Sequence, residues 1–117
     1  MKSTVNLTMA QALVRHLAAL RIEMPGGELL PYCAGMFAIF GHGNVAGIGE
    51  ALWAERAHFP TWRAHNEQAM AHAAIAYAKA GFRQRMMAVT TSIGPGATNL
   101  LTAAALAHVN RLPLLML

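Results

Sequence analysis

The segment from Met86 to Asn99 constrains this chain most. Met86-Met87-Ala88-Val89 is an unbroken apolar run, and Thr90-Thr91-Ser92-Ile93-Gly94-Pro95-Gly96-Ala97-Thr98-Asn99 leads from it into an alanine- and leucine-rich stretch. An apolar run without alternation predicts a strand buried on both faces, and the residues after it predict a loop and then a helix over about 97–108. That order belongs to open α/β folds, which bind ligands at the carboxyl ends of their strands. Gly94 and Gly96 permit a tight turn or a close approach of backbone to ligand, Pro95 stiffens the turn, and the amides that open the helix suit polar or anionic groups. A Gly-Pro-Gly turn also serves as a plain connector, and these residues alone leave both readings open.

A second unit of the same kind lies upstream. Met36-Phe37-Ala38-Ile39-Phe40 reads as a short strand, followed at once by Gly41-His42-Gly43-Asn44 and by a helix expected from residue 45 or 46 to about Arg56. Two strand, glycine-loop and helix units predict the α/β class, with a parallel sheet, flanking helices and loops gathered on one edge. With 117 residues the chain holds one domain at most, and a complete doubly wound sheet usually needs more. Arg111-Leu112-Pro113-Leu114-Leu115-Met116-Leu117 reads as a strand barely begun, so an incomplete sheet in a truncated chain is expected.

The other elements are set by local signals. Thr8-Met9-Ala10-Gln11 forms a capping box ahead of Met9, Leu13, Leu17 and Leu20, which recur at helical spacing and predict a helix over about 9–21. Met24-Pro25-Gly26-Gly27-Glu28 predicts a loop, residues 29–34 an irregular or short edge element, and 58–64 a short extended segment. Asn66 is a cap for the alanine-rich run from Glu67 to Ala80, and Gly81 is its terminator. Trp53, Trp62, Tyr77 and the methionines are read as packing residues. The helix over 97–108 is apolar on nearly every side, which predicts a place between the sheet and another layer.

Composition excludes several classes. No apolar run approaches the roughly 20 residues of a membrane span, and the amino terminus leads into a periodic helix rather than a signal-peptide core, so a soluble, cytoplasmic protein is expected. The formal charge is +4, but Arg15, Arg21, Arg56, Arg63, Lys79, Arg83, Arg85 and Arg111 are scattered, which argues against nucleic acid as a partner. The single cysteine, Cys33, excludes an intrachain disulfide and a cysteine-based zinc cluster, and reads as a small buried or half-buried hydrophobe.

Familiar motifs fail. Gly41 and Gly43 begin a dinucleotide fingerprint, but the third glycine, Gly47, comes one residue late, and no Gly-Lys-Ser/Thr of a P-loop occurs. His65, Glu67 and His72 lack the His-Glu-x-x-His spacing of a zinc site, so no metal ligands are expected here. Glu67 falls in the first turn of its helix, where the helix dipole by itself favours a carboxylate. A structural and a functional role therefore both remain open for it from spacing alone.

Three motifs together carry a resemblance: Phe40-Gly41-His42-Gly43-Asn44, Asn66-Glu67-Gln68-Ala69-Met70-Ala71-His72-Ala73-Ala74, and Thr91-Ser92-Ile93-Gly94-Pro95-Gly96-Ala97-Thr98-Asn99-Leu100. The chain resembles the amino-terminal, pyrimidine-binding domain of thiamine-diphosphate enzymes of the acetohydroxyacid synthase group, over essentially its whole length. Within the group it is most similar to the trihydroxycyclohexane-1,2-dione hydrolases of inositol catabolism, because many relatives carry a proline-glycine loop where this chain has His42-Gly43.

The resemblance implies that Glu67 bonds the aminopyrimidine of thiamine diphosphate and promotes the tautomer that generates the reactive carbanion. It further implies cofactor contacts from Gly43, Asn44, Gly94, Pro95, Gly96 and Asn99, and a proton-transfer or loop-holding role for His42. Magnesium and the diphosphate are expected on a separate carboxy-terminal domain, with a cyclic polyhydroxy diketone as substrate and a homo-oligomer, dimer or tetramer, as the full-length form. The alternatives are an acetolactate synthase-like carboligase or decarboxylase, and a non-catalytic α/β assembly fragment.

Overall fold

The computed structural model describes residues 4–117. Thr8 caps α1 (Met9–Ala19) as its sequence predicts: the Thr8 hydroxyl accepts from Gln11 N–H at 3.2 Å and Gln11 Oε1 accepts from Thr8 N–H at 3.0 Å. Two amides that a helix start leaves unpaired are thereby satisfied. The helix stops at Ala19, short of the expected end. Arg21–Glu23 instead forms β1, paired antiparallel with β2 (Leu29–Pro31) across the Met24–Glu28 loop. The stretch expected to be irregular or an edge element is thus one arm of a hairpin, and both arms are too short for alternation to reveal them.

The main sheet has the order β4-β3-β5-β6, with every adjacent pair parallel. Its strands are β3 (Cys33–Ala38), β4 (Thr61–Arg63), β5 (Met86–Thr90) and β6 (Leu115–Met116). β3 begins earlier than its apolar run suggests, because Cys33 already pairs with Met86. Every residue of β5 is buried, and successive side chains enter opposite layers. Met86 and Ala88 join Val14, Leu17, Cys33, Leu52 and Phe59 beneath α1 and α2 (Glu50–Ala54). Met87 and Val89 join Met70, Ile75, Leu100 and Ala103 beneath α3 (Glu67–Ala80) and α5 (Leu101–Val109). Burial pushes the Cys33 thiol up from its ordinary pKa, in keeping with a packing role.

α3 has the predicted bounds, with Asn66 Oδ1 accepting from Ala69 N–H at 2.9 Å. Gly81 ends it at φ −85°, so the left-handed turn falls on Phe82 and Arg83 instead, at φ 51° and 65°. The two expected helices beside the glycine loops are both interrupted. Residues Val45–Gly49 form a π-helical turn, closed by Gly49 N–H on Asn44 O at 3.0 Å, before α2 begins. The helix expected over 97–108 is α4 (Pro95–Thr98) followed by α5, with a break at Asn99-Leu100.

α5 buries only Ala103 and Ala107 on its inner side, while Leu101, Leu106 and Val109 stay exposed. The expected sandwich is therefore covered on one side only by the described residues. Trp53 also departs from its assignment to packing: it is 70% exposed, with the Arg56 guanidinium over its ring at 4.1 Å. Trp62 packs only in part: its ring lies 5.8 Å from that of Phe37, but the residue is 44% exposed. No helix among the described residues is long and apolar enough to cross a membrane.

Candidate functional site

Topology fixes where a site can lie. The chain leaves β3 through α2 toward β4 on one side, and leaves the neighbouring strand β5 through α4 and α5 toward β6 on the other. Connections that depart in opposite directions open a crevice at the carboxyl ends of the two strands. Both glycine loops, 41–44 and 91–96, stand at this point.

The loops are fastened to each other. Asn44 Oδ1 accepts from Gly41 N–H at 2.9 Å, and Asn44 Nδ2 donates to Thr91 O at 2.8 Å and to the buried Thr90 hydroxyl at 3.3 Å. One side chain thus satisfies groups on both loops, all of which would otherwise be poorly paired. The contact leaves no room for a methyl group: a Cβ on Gly41 would overlap the Ser92 side chain. Gly41 is therefore glycine because the second loop lies directly against it.

Glu67 sits at the start of α3, partly exposed, with Asn66 as its cap. Its Oε2 accepts from Asn99 Nδ2 at 2.9 Å, joining α3 to the break between α4 and α5. Gly96 is buried beside the other oxygen, where an added Cβ would lie 3.2 Å from Glu67 Oε1 and 2.8 Å from Ser92 Oγ. Glu67, Pro95, Gly96, Thr98 and Asn99 line an open hollow of about 450 Å³. The Asn99 hydrogen bond, and then Glu67's own backbone amide, hold its carboxyl below the ordinary glutamate pKa, against a smaller opposing effect of burial.

A second, smaller hollow of about 230 Å³ is lined by Gly43, Asn44, Thr91, Ser92 and Ile93. The 91–96 segment contributes to both hollows. His42 is exposed and lines neither of them, and among the described residues its ring makes no hydrogen bond. Of the residues singled out in the sequence, the fold brings Glu67, Pro95, Gly96 and Asn99 together, sets Gly43 and Asn44 at the neighbouring hollow, and leaves His42 outside both. Gly94 turns the chain at φ 67° and its carbonyl accepts from Thr98 N–H at 2.9 Å, so it shapes the loop rather than lining the hollow. Sequence reasoning passed over Ser92 and Thr98, whose hydroxyls carry no motif of their own.

Residues 35–117 match the family described as thiamine pyrophosphate enzyme, N-terminal TPP binding domain. The chain belongs to this family. The matched span takes in β3 from Gly35 onward, both glycine loops, Glu67 and the Gly94-Pro95-Gly96 turn, so every residue that lines the two hollows falls within it. Curated relatives extend the likeness over α1 and the hairpin. The chain is 53% identical over 116 residues to a 3D-(3,5/4)-trihydroxycyclohexane-1,2-dione hydrolase of Listeria monocytogenes, covering 99% of this chain. It is 50% identical over 117 residues to the protein of that name from Shouchella clausii and 47% identical over 114 residues to that from Clostridium tetani, covering 100% and 97% of this chain. The chain spans 18% of the length of each of these relatives.

Proposed function

We propose that this chain forms the pyrimidine side of the thiamine-diphosphate site in a hydrolase that cleaves a C–C bond of 3D-(3,5/4)-trihydroxycyclohexane-1,2-dione in inositol catabolism. The observation that carries the reading is the Glu67 carboxylate, with one oxygen tied to Asn99 and the other beside the bare α-carbon of Gly96 at the wall of an open hollow. The residues fit a flat aminopyrimidine: a carboxylate at the wall of an open hollow offers a partner for a ring nitrogen, and glycine at 96 keeps a side chain from crowding that carboxylate. The cofactor, when bound, supplies the carbon nucleophile and electron sink that C–C cleavage needs.

Glu67 holds a proton at the pyrimidine nitrogen in this reading. The Asn99 hydrogen bond holds its carboxyl below the ordinary glutamate pKa in the described structure, and burial beneath a bound ring would act the other way, raising its proton affinity. Its mount in the first turn of α3 keeps the carboxylate aimed, since a helix positions a side chain more firmly than a loop does. Asn44 acts by holding the Gly41–Asn44 loop against β5, and Gly43 presents backbone to the smaller hollow.

His42, exposed at the tip of that loop, is assigned to proton transfer with the polyhydroxy diketone in the assembled protein. Magnesium and the diphosphate are assigned to protein outside this chain, in a cytoplasmic homo-oligomer, dimer or tetramer. An assay of the full-length protein tests the substrate. Thiamine-diphosphate-dependent turnover of the dione is expected, with kcat/KM at least roughly 10²-fold above that for pyruvate. Preference for pyruvate would move the protein to the acetolactate synthase-like carboligases and overturn the substrate reading.

A further inference from the structure

We infer that Asn99 is a positioning residue that acts through Glu67: it pins carboxylate oxygen Oε2 and thereby leaves Oε1 as the oxygen that meets the cofactor's ring nitrogen. This rests on the proposed role of Glu67 at the pyrimidine, and it gives Asn99 a different task from contact with the cofactor itself. The bond from Asn99 Nδ2 to Glu67 Oε2 is 2.9 Å long and joins residues from two separate elements. Only the amide nitrogen of asparagine can donate to a carboxylate, so the orientation of the Asn99 amide is fixed by its partner.

The Asn99 backbone is fixed as well. Its N–H closes α4 on Pro95 O at 3.0 Å, and Leu100 N–H closes on Ala97 O at 3.1 Å, so the side chain projects from a hydrogen-bonded turn. On the other side of the carboxylate, Gly96 is packed so closely that a single methyl group there would crowd Oε1 and the Ser92 hydroxyl together. Asn99 is therefore the one side chain among the described residues that holds the carboxylate, on Oε2, while Oε1 lies on the Gly96 side, and the break at Asn99-Leu100 is where the hold is made.

The same bond governs when Glu67 can accept a proton. Among the described residues no other side chain donates to the carboxylate, and no Lys, Arg or His nitrogen approaches it within 4.0 Å. Pro95, Gly96 and Thr98, which share its hollow, are uncharged. A donor to the charged form favours that form, so Asn99 keeps Glu67 ionised to lower pH and its removal lets Glu67 hold a proton to higher pH.

Calorimetric titration of the full-length protein with thiamine diphosphate and magnesium tests the inference, run over a pH series in buffers of different ionisation heat. In the wild type, proton uptake on binding begins as pH rises through the titration of free Glu67, and Kd weakens from there. Asn99→Leu is expected to move that onset to higher pH, and Asn99→Asp further, since it adds a like charge beside Glu67. The near-isosteric Asn99→Asp carries the test if the leucine variant fails to fold. Turnover of the dione should also fall by roughly 10²-fold in kcat, with KM changing less.

An onset that stays in place in both Asn99 variants, while Glu67→Gln abolishes the uptake, would overturn the inference and leave the Glu67 reading standing. Proton uptake with the same onset and size in Glu67→Gln as in the wild type would overturn both.

Discussion

Glu67→Gln in the full-length protein is expected to lower kcat for the dione by roughly 10²- to 10⁴-fold, the range that a positioned proton-transfer group contributes. The substitution preserves shape, and a glutamine carbonyl can still accept from Asn99 Nδ2, the bond that spans 2.9 Å in the present structure. What it removes is the exchangeable proton and the negative charge at the start of α3. That charge contributes only about 0.3–1 kcal/mol to a helix end, so the thermal transition should barely move. Steady-state kinetics and a melting curve on the same preparation separate the two effects. Turnover within about twofold of wild type would remove Glu67 from the chemistry.

The largest structural effect is expected where the two loops meet. Gly41→Ala places a methyl group on the Ser92 side chain, and Asn44→Leu leaves Gly41 N–H, Thr91 O and the buried Thr90 hydroxyl without their partner. Overpacking of this kind costs about 1–3 kcal/mol, and each unpaired buried polar group costs a similar amount. Hydrogen exchange followed by mass spectrometry reports this locally in the full-length protein. A loss of about 2 kcal/mol should speed exchange roughly 30-fold over 40–45 and over 90–94 together, with α1 unaffected. Faster exchange in the first segment with no change in the second would show that the loops are independent and that Asn44 does not join them.

The legible parts of the fold are those set by local chemistry. Asn66 and Gly81 bracket α3 because a cap and a terminator act within one turn, and the unbroken apolar run at Met86–Val89 marks a strand buried on both faces. The interruptions were not legible. Alanine and leucine favour helix throughout 97–108, so nothing in that composition marks the break at Asn99-Leu100, and the glycines of Val45–Gly49 do not distinguish a π turn from a weak α-helix.

The left-handed turn falls on Phe82 and Arg83, the reverse of what residue preferences favour beside Gly81. At the site, the resemblance picked out Glu67, Gly96 and Asn99 as neighbours of one cofactor. Their contact with each other depends on α3 packing beside the segment after β5, which only the assembled sheet supplies.

What the Glu67 carboxylate meets decides whether this chain carries the pyrimidine side of the site. A structure of the full-length protein with thiamine diphosphate and magnesium measures it directly. Oε1 is expected within about 2.6–3.2 Å of a pyrimidine nitrogen, with Asn99 still on Oε2 and the ring edge near Gly96. A pyrimidine bound elsewhere, with Glu67 facing solvent or bonded only to Asn99, would contradict this role for the chain.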